Sequence, residues 1–237
     1  MSDDYTAMTG VSSQISFGAN PLQLQGAAVL SDIATSLQGT FLGNLCQHAS
    51  DNLSGANMEG MDIIKDCVSD LSSFYGVDKV KVCFEQGEPG VHSTGFTDSP
   101  NDNWIGGDPA VLKDYAAEYG TDFVKNVFAH EMGHYVFDQL GLRDKYETVS
   151  NEACADFLSG LYAGSKNLDP EGMKAFLADL PDDPNGDYPS GVERAALFSA
   201  GYEVAQNYPW KDFQSILDDG RFDLAQAVES VANRYRG

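Results

Sequence analysis

Residues 126–136, NVFAHEMGHYV, place two of the chain's four histidines four positions apart, with a glutamate directly after the first. In a helix, positions i and i+4 share one face about one turn apart, so His130 and His134 project side by side. Glu131 stands about 100° round the helix, within reach of an atom held between the two imidazoles. Phe123, Val127 and Phe137 fall on the same stripe, so the histidines interrupt an otherwise apolar face of a helix over 122–140. Two imidazoles set in such a face each need a polar partner, and burying both without a shared purpose is costly. A metal ion supplies that purpose, because neutral imidazole is a common zinc ligand and zinc prefers tetrahedral N, O or S surroundings. Gly133 costs about 1 kcal/mol relative to alanine in a helix interior. Its expected use is to let another backbone approach beside the metal.

A catalytic zinc takes a third protein ligand and keeps one position open. Residues 150–160, SNEACADFLSG, supply the candidate. Glu152 and Asp156 are again i and i+4, lying 18 and 22 residues beyond His134. The intervening GLRDKYETVS is long enough to turn the chain back, so the two helices are expected to pack antiparallel with Glu152 opposite the histidine pair. Asp156, one turn deeper, is then placed to accept the other ring N–H of a ligating histidine, which fixes its tautomer and raises its basicity. Ala153, Ala155, Phe157, Leu158 and Leu161 leave little of this helix polar, which weighs against a merely solvated acidic face.

The remaining composition narrows the function classes. With 237 residues, 42% of them hydrophobic, the chain can bury a sizeable core. A formal net charge of −22 argues against nucleic-acid and anionic-membrane partners, whose phosphates would be repelled. The opening MSDDYTAMTG has neither the basic nor the apolar region of a secretory signal. No apolar run approaches the ~20 residues of a membrane span. The four cysteines (Cys46, Cys67, Cys83 and Cys154) show no C-x-x-C spacing and read as reduced, mostly buried thiols. The expectation is a cytoplasmic protein without a membrane span.

Along the chain, 1–20 reads as a polar arm and 21–76 as a helical region, with helices over 21–49 and 58–75, the second stopped by Gly76. Residues 77–237 form the expected catalytic region, one unit with 21–76. Within it, KVKVCFEQ alternates as a strand does, and HSTGFT and NWIGG add two short strand candidates. Helices follow over 109–120, 121–140, 150–164, 170–180, 191–207 and 222–235, the third behind a Ser150 cap and the fifth behind Ser190. The fold class these elements imply is α+β: a mainly helical core with a small antiparallel or mixed sheet beside the metal-binding helix.

HEMGH followed by NEACADFLSG resembles the gluzincin group of zinc metallopeptidases, whose thermolysin-like members carry H-E-x-x-H on one helix and N-E-x-x-x-D on the next. The resemblance covers about 30 residues and implies a zincin-like core with bound zinc. On that resemblance His130, His134 and Glu152 are zinc ligands, Glu131 is the general base and Asp156 orients a ligating histidine. It also implies a peptide or protein substrate lying against an edge strand within HSTGFTDSPNDNWIGGDPAVL. Further on, YPSGVERAALF is similar to a histidine-Pro-Ser…Arg stretch of the prenyl-protein protease and heat-shock peptidase relatives, and to soluble bacterial neutral zinc metallopeptidases. Arg194 matches their arginine, while Tyr188 stands where histidine is frequent. These two are the candidates for stabilising an oxyanion.

Two rival expectations accompany this reading: a catalytically silent zinc-binding domain, and an acidic interaction protein working through its N-terminal helices. Residues 183–194 loosely imitate a calcium loop, but Tyr188 and Arg194 occupy the positions that need glycine and glutamate. Cys154 faces away from Glu152 and Asp156 and reads as a core residue.

Overall fold

A computed structural model describes residues 58–76, 81–84, 91–94, 104–142, 145–183, 185–186, 188–208 and 210–235. The polar arm over 1–20 and the helix expected over 21–49 lie outside the described residues. The elements run α1 (Met58–Tyr75), β1 (Lys81–Phe84), β2 (Val91–Thr94), β3 (Trp104–Gly107), α2 (Pro109–Tyr119) and α3 (Thr121–Gln139). They continue with α4 (Thr148–Lys166), α5 (Glu171–Ala178), α6 (Gly191–Gln206), α7 (Phe213–Leu217) and α8 (Leu224–Arg234).

The α+β class inferred from the sequence is corrected to a helical one. Helix packs on helix throughout the described core, and the extended segments amount to three strands of four residues each. An α+β fold requires a sheet broad enough to cover one face of the core. Here α4 is instead enclosed by α3, α6 and α8. The short strands pair in the order β1-β3-β2, parallel between β1 and β3 and antiparallel between β3 and β2, with β2 lying against α3. The alternation around Val82 marked extended backbone correctly, but it said nothing about how many strands would join it.

Local chemistry accounts for the helix ends. Asp108 caps α2 by accepting from Ala110 N at 2.8 Å, Pro109 stands at the first helical position, and Gly120 at φ +88° separates α2 from α3. Ser190 and Glu193 close a reciprocal capping box at the start of α6. One expected cap is overturned. The fourth helix begins at Thr148, and Ser150 is fully buried inside it, donating to the carbonyls of Ala232 (2.9 Å) and Tyr235 (3.2 Å). Ser150 therefore docks α8, a role that local sequence cannot reveal.

The centre of the molecule is α4, buried from Glu152 through Gly164. Its contacts with α3 run in reverse register: His134 meets Asn151, His130 meets Asp156, and Ser159 Oγ donates to Asn126 O at 2.7 Å. The two helices are thus antiparallel. Gly133 makes their approach possible, since a Cβ there would meet Ala155 Cα at 2.9 Å and Ala155 O at 3.0 Å. On the other side, Gly160 of α4 and Gly201 of α6 face the carbonyls of Phe198 and Phe157, with no room for a side chain on either. Phe123, Phe128, Phe137, Phe157 and Phe198 are fully buried around this stack. Each contributes on the order of 1.5–3 kcal/mol by leaving water.

The helix α1 belongs to the same body. Tyr162 Oη donates to Asp70 Oδ2 at 2.5 Å, Lys166 Nζ reaches Asp70 Oδ1 at 3.1 Å, and Phe74, Tyr75 and Tyr162 pack ring against ring. Among the described residues no helix is long and apolar enough to cross a membrane.

Candidate metal centre

His130 and His134 sit one turn apart on α3, their rings edge-on with centroids 4.8 Å apart. The carboxylate of Glu152 reaches across from α4. Its Oε2 lies 3.3 Å from His130 Nε2, and its Oε1 lies 3.4 Å from His134 Nε2. These ligand-type atoms all fall within 4.8 Å of one another. Donors held at about 2.1 Å from one tetrahedral ion stand about 3.4 Å apart. The two nitrogen–oxygen contacts, made to different oxygens of Glu152, approach that figure, and the three residues form a group able to hold a metal ion. Two imidazoles with one carboxylate make a mixed nitrogen–oxygen donor set.

Behind these three donors, α4 holds both imidazoles from their far sides. His134 Nδ1 is 3.0 Å from Asn151 Oδ1. With the proton on Nδ1 donated to that amide oxygen, the Nε2 lone pair is turned towards Glu152. His130 Nδ1 is 2.9 Å from Asp156 Oδ1, a close contact but poorly aligned for a hydrogen bond. Sequence reasoning assigned Asp156 and missed Asn151. The signal available was its position next to Glu152, but which helical neighbour would face His134 depended on the register of α3 against α4.

Asp156 has no exposed surface and is gripped from α6 by Arg194. The guanidinium donates from Nε to Oδ2 at 2.7 Å and from Nη2 to Oδ1 at 3.1 Å. Arg194 Nη2 also lies 3.5 Å from Glu152 Oε2. Removing one partner of such a buried pair strands the other charge, at a cost of about 3–5 kcal/mol. Tyr188 is half-buried just before α6. Glu131 is buried directly beside His130 on α3.

These groups set one another's protonation in the metal-free protein. Burial disfavours charge on His130, yet Asp156 and Glu152 outweigh it and push its pKa up to about 10. Burial likewise opposes ionisation of Glu152, but the imidazoles of His134 and His130 and the Arg194 guanidinium bring its pKa down to about 2. Asp156 is held below the usual carboxylate range against its own burial, chiefly by Arg194 and then by His130. A cation entering the cluster therefore takes the place of a proton on His130.

The remaining sequence signals resolve simply. Cys154 is buried and turns its Sγ towards Val228 O of α8, 3.5 Å away, and Cys67 is buried in α1. In the calcium-like stretch, Asp183 Oδ1 accepts from Asn185 N at 3.0 Å, a local Asx turn.

No protein-family model matches this chain, and neither a curated protein nor a solved structure is significantly similar to it.

Proposed function

We propose that this chain is a zinc-dependent peptidase whose metal is held by His130, His134 and Glu152. The observation that carries this reading is the convergence of two imidazoles and the Glu152 carboxylate, with a ligand atom from each within 4.8 Å of the others. The same donor set also serves non-haem iron in oxygenases. What favours hydrolysis is Glu131, a buried carboxylate next in sequence to the ligand His130, the residue type that a general base for the attacking water requires.

Zinc held there supplies Lewis acidity, polarising a peptide carbonyl and bringing the pKa of water towards 7. Glu131 takes the proton from the attacking water and hands it to the departing amine, the two halves of general acid–base catalysis. Asn151 orients the His134 ring through its Nδ1, and the Asp156 carboxylate stands 2.9 Å behind His130 Nδ1. For the developing oxyanion Tyr188 is the donor we favour, because the Arg194 guanidinium is already committed to Asp156 and Glu152. Such a donor contributes roughly 2.7–4 kcal/mol to the transition state. Strand β2, last in the order of the described strands and lying against α3, is the backbone edge on which an extended substrate would pair.

The test is cleavage of a proteome-derived peptide library by the zinc-loaded full chain and by Glu131→Gln. The expected result is cleavage by the wild type, abolished by chelation. Glu131→Gln should bind zinc normally but turn over at least about 100-fold more slowly. Equal activity in the variant, or no cleavage by metal-loaded wild type, overturns the proposal.

A further inference from the structure

We infer that Arg194 is a positioning residue for the metal centre: by pairing with Asp156 and drawing on one oxygen of Glu152, it keeps Glu152 a one-oxygen ligand. This role depends on the metal centre but not on peptide hydrolysis.

Arg194 is held from several sides. It lies one turn into α6, behind the Ser190–Glu193 capping box, which fixes where that helix starts. The close packing of α4 and α6 at Gly160 and Gly201 then sets the height of α6 against Asp156. A guanidinium is a planar fork of donors, and both its Nε and Nη2 are used on the two oxygens of Asp156. Its orientation is therefore determined by three independent constraints.

A single atom of that fork reaches further. Arg194 Nη2 stands 3.1 Å from Asp156 Oδ1 and 3.5 Å from Glu152 Oε2. Asp156 Oδ1 is in turn 2.9 Å from His130 Nδ1. One nitrogen thus touches the carboxylate that backs a ligand and the carboxylate that is a ligand. Each oxygen of Glu152 faces an imidazole, Oε2 that of His130 at 3.3 Å and Oε1 that of His134 at 3.4 Å, but the two are made unequal because only Oε2 also has the guanidinium nitrogen 3.5 Å away. A carboxylate with one oxygen engaged by guanidinium offers a metal the other, which leaves a coordination position open. Were Arg194 present only to neutralise Asp156, nothing would require Nη2 to reach Glu152. Lysine cannot substitute, being a compact point charge without the fork.

The experiment uses the full chain loaded with Co(II) in place of zinc, reading the visible absorption band and the affinity against a competing chelator. The wild type should show the intense band of four-coordinate Co(II). Arg194→Lys, which keeps the charge, should bind Co(II) about 10–100-fold more weakly. Its band should also weaken as Glu152 turns both oxygens to the metal. A folded Arg194→Lys with wild-type band and affinity within about twofold overturns the inference, as does a six-coordinate spectrum in the wild type. If Arg194→Lys does not fold, the paired Asp156→Asn/Arg194→Gln variant strands no buried charge and is judged by the same two outcomes. Co(II) behaviour as expected without any peptide cleavage would overturn the peptidase reading alone. A wild type that takes up neither Co(II) nor zinc would overturn the metal centre and this inference together.

Discussion

Gly133→Ala tests the close approach of α3 and α4 on which the centre depends. At an exposed helical site this exchange stabilises by about 1 kcal/mol, because alanine is the better helix former. At Gly133 the new Cβ would sit 2.9 Å from Ala155 Cα and 3.3 Å from its Cβ, against a comfortable carbon–carbon separation of about 3.5–4.0 Å. The Ala155 Cα is α4 backbone and cannot swing aside, so the helices must part by roughly 0.6 Å or more. Overpacking of this kind costs about 1–3 kcal/mol, leaving a net loss of about 0–2 kcal/mol once the propensity gain is subtracted. For a chain of this size that lowers the melting temperature by no more than about 8 °C. The effect on the centre is larger, because ligand spacing tolerates only about ±0.2 Å and Glu152 and Asp156 flank Ala155 on α4. Zinc affinity should therefore fall about 10–100-fold, measured by chelator competition alongside a circular-dichroism melt. A variant that melts higher than wild type and binds zinc equally well would refute the packing argument.

Further outcomes are expected from the groups around the imidazoles. Asn151→Ala removes the acceptor at His134 Nδ1 and should weaken zinc binding about 10–100-fold while the stability of the metal-free protein changes little; unchanged affinity in a chelator titration would count against its role. Zinc uptake should release protons near neutral pH, because His130 carries one in the metal-free protein and must lose it to ligate. The sign is definite: the folded pKa is raised, so the stability His130 contributes to the metal-free protein is complete below about pH 6.5 and lost as pH rises through about 10. Zinc affinity should correspondingly fall as pH is lowered, and calorimetry in buffers of different ionisation enthalpy measures the proton count. Titrations with identical apparent heats in every buffer would contradict the assignment.

The grouping of His130, His134 and Glu152 was legible in the sequence because helical periodicity is local. Spacing by four residues puts His130 beside His134 and Glu152 in line with Asp156, whatever surrounds them. Capping residues are equally local, so Pro109, Gly120 and Ser190 marked helix ends correctly. Where a side chain has alternative partners, local rules fail. Ser150 has the chemistry of a cap, yet its hydroxyl is spent on the carbonyls of α8. The helical fold class was misread for a related reason, since alternation identifies extended backbone but not the extent of the layer it joins.

Which donors exist, and which of them share a helix face, can be read from residue order alone, since i, i+4 geometry is a property of any helix. The surroundings of those donors cannot. That Asn151 meets His134, and that Arg194 turns inward onto Asp156 and Glu152, depends on the rotation and height of α4 between α3 and α6. That placement is set by the glycine contacts at Gly133, Gly160 and Gly201, where backbones touch across helices far apart in the chain.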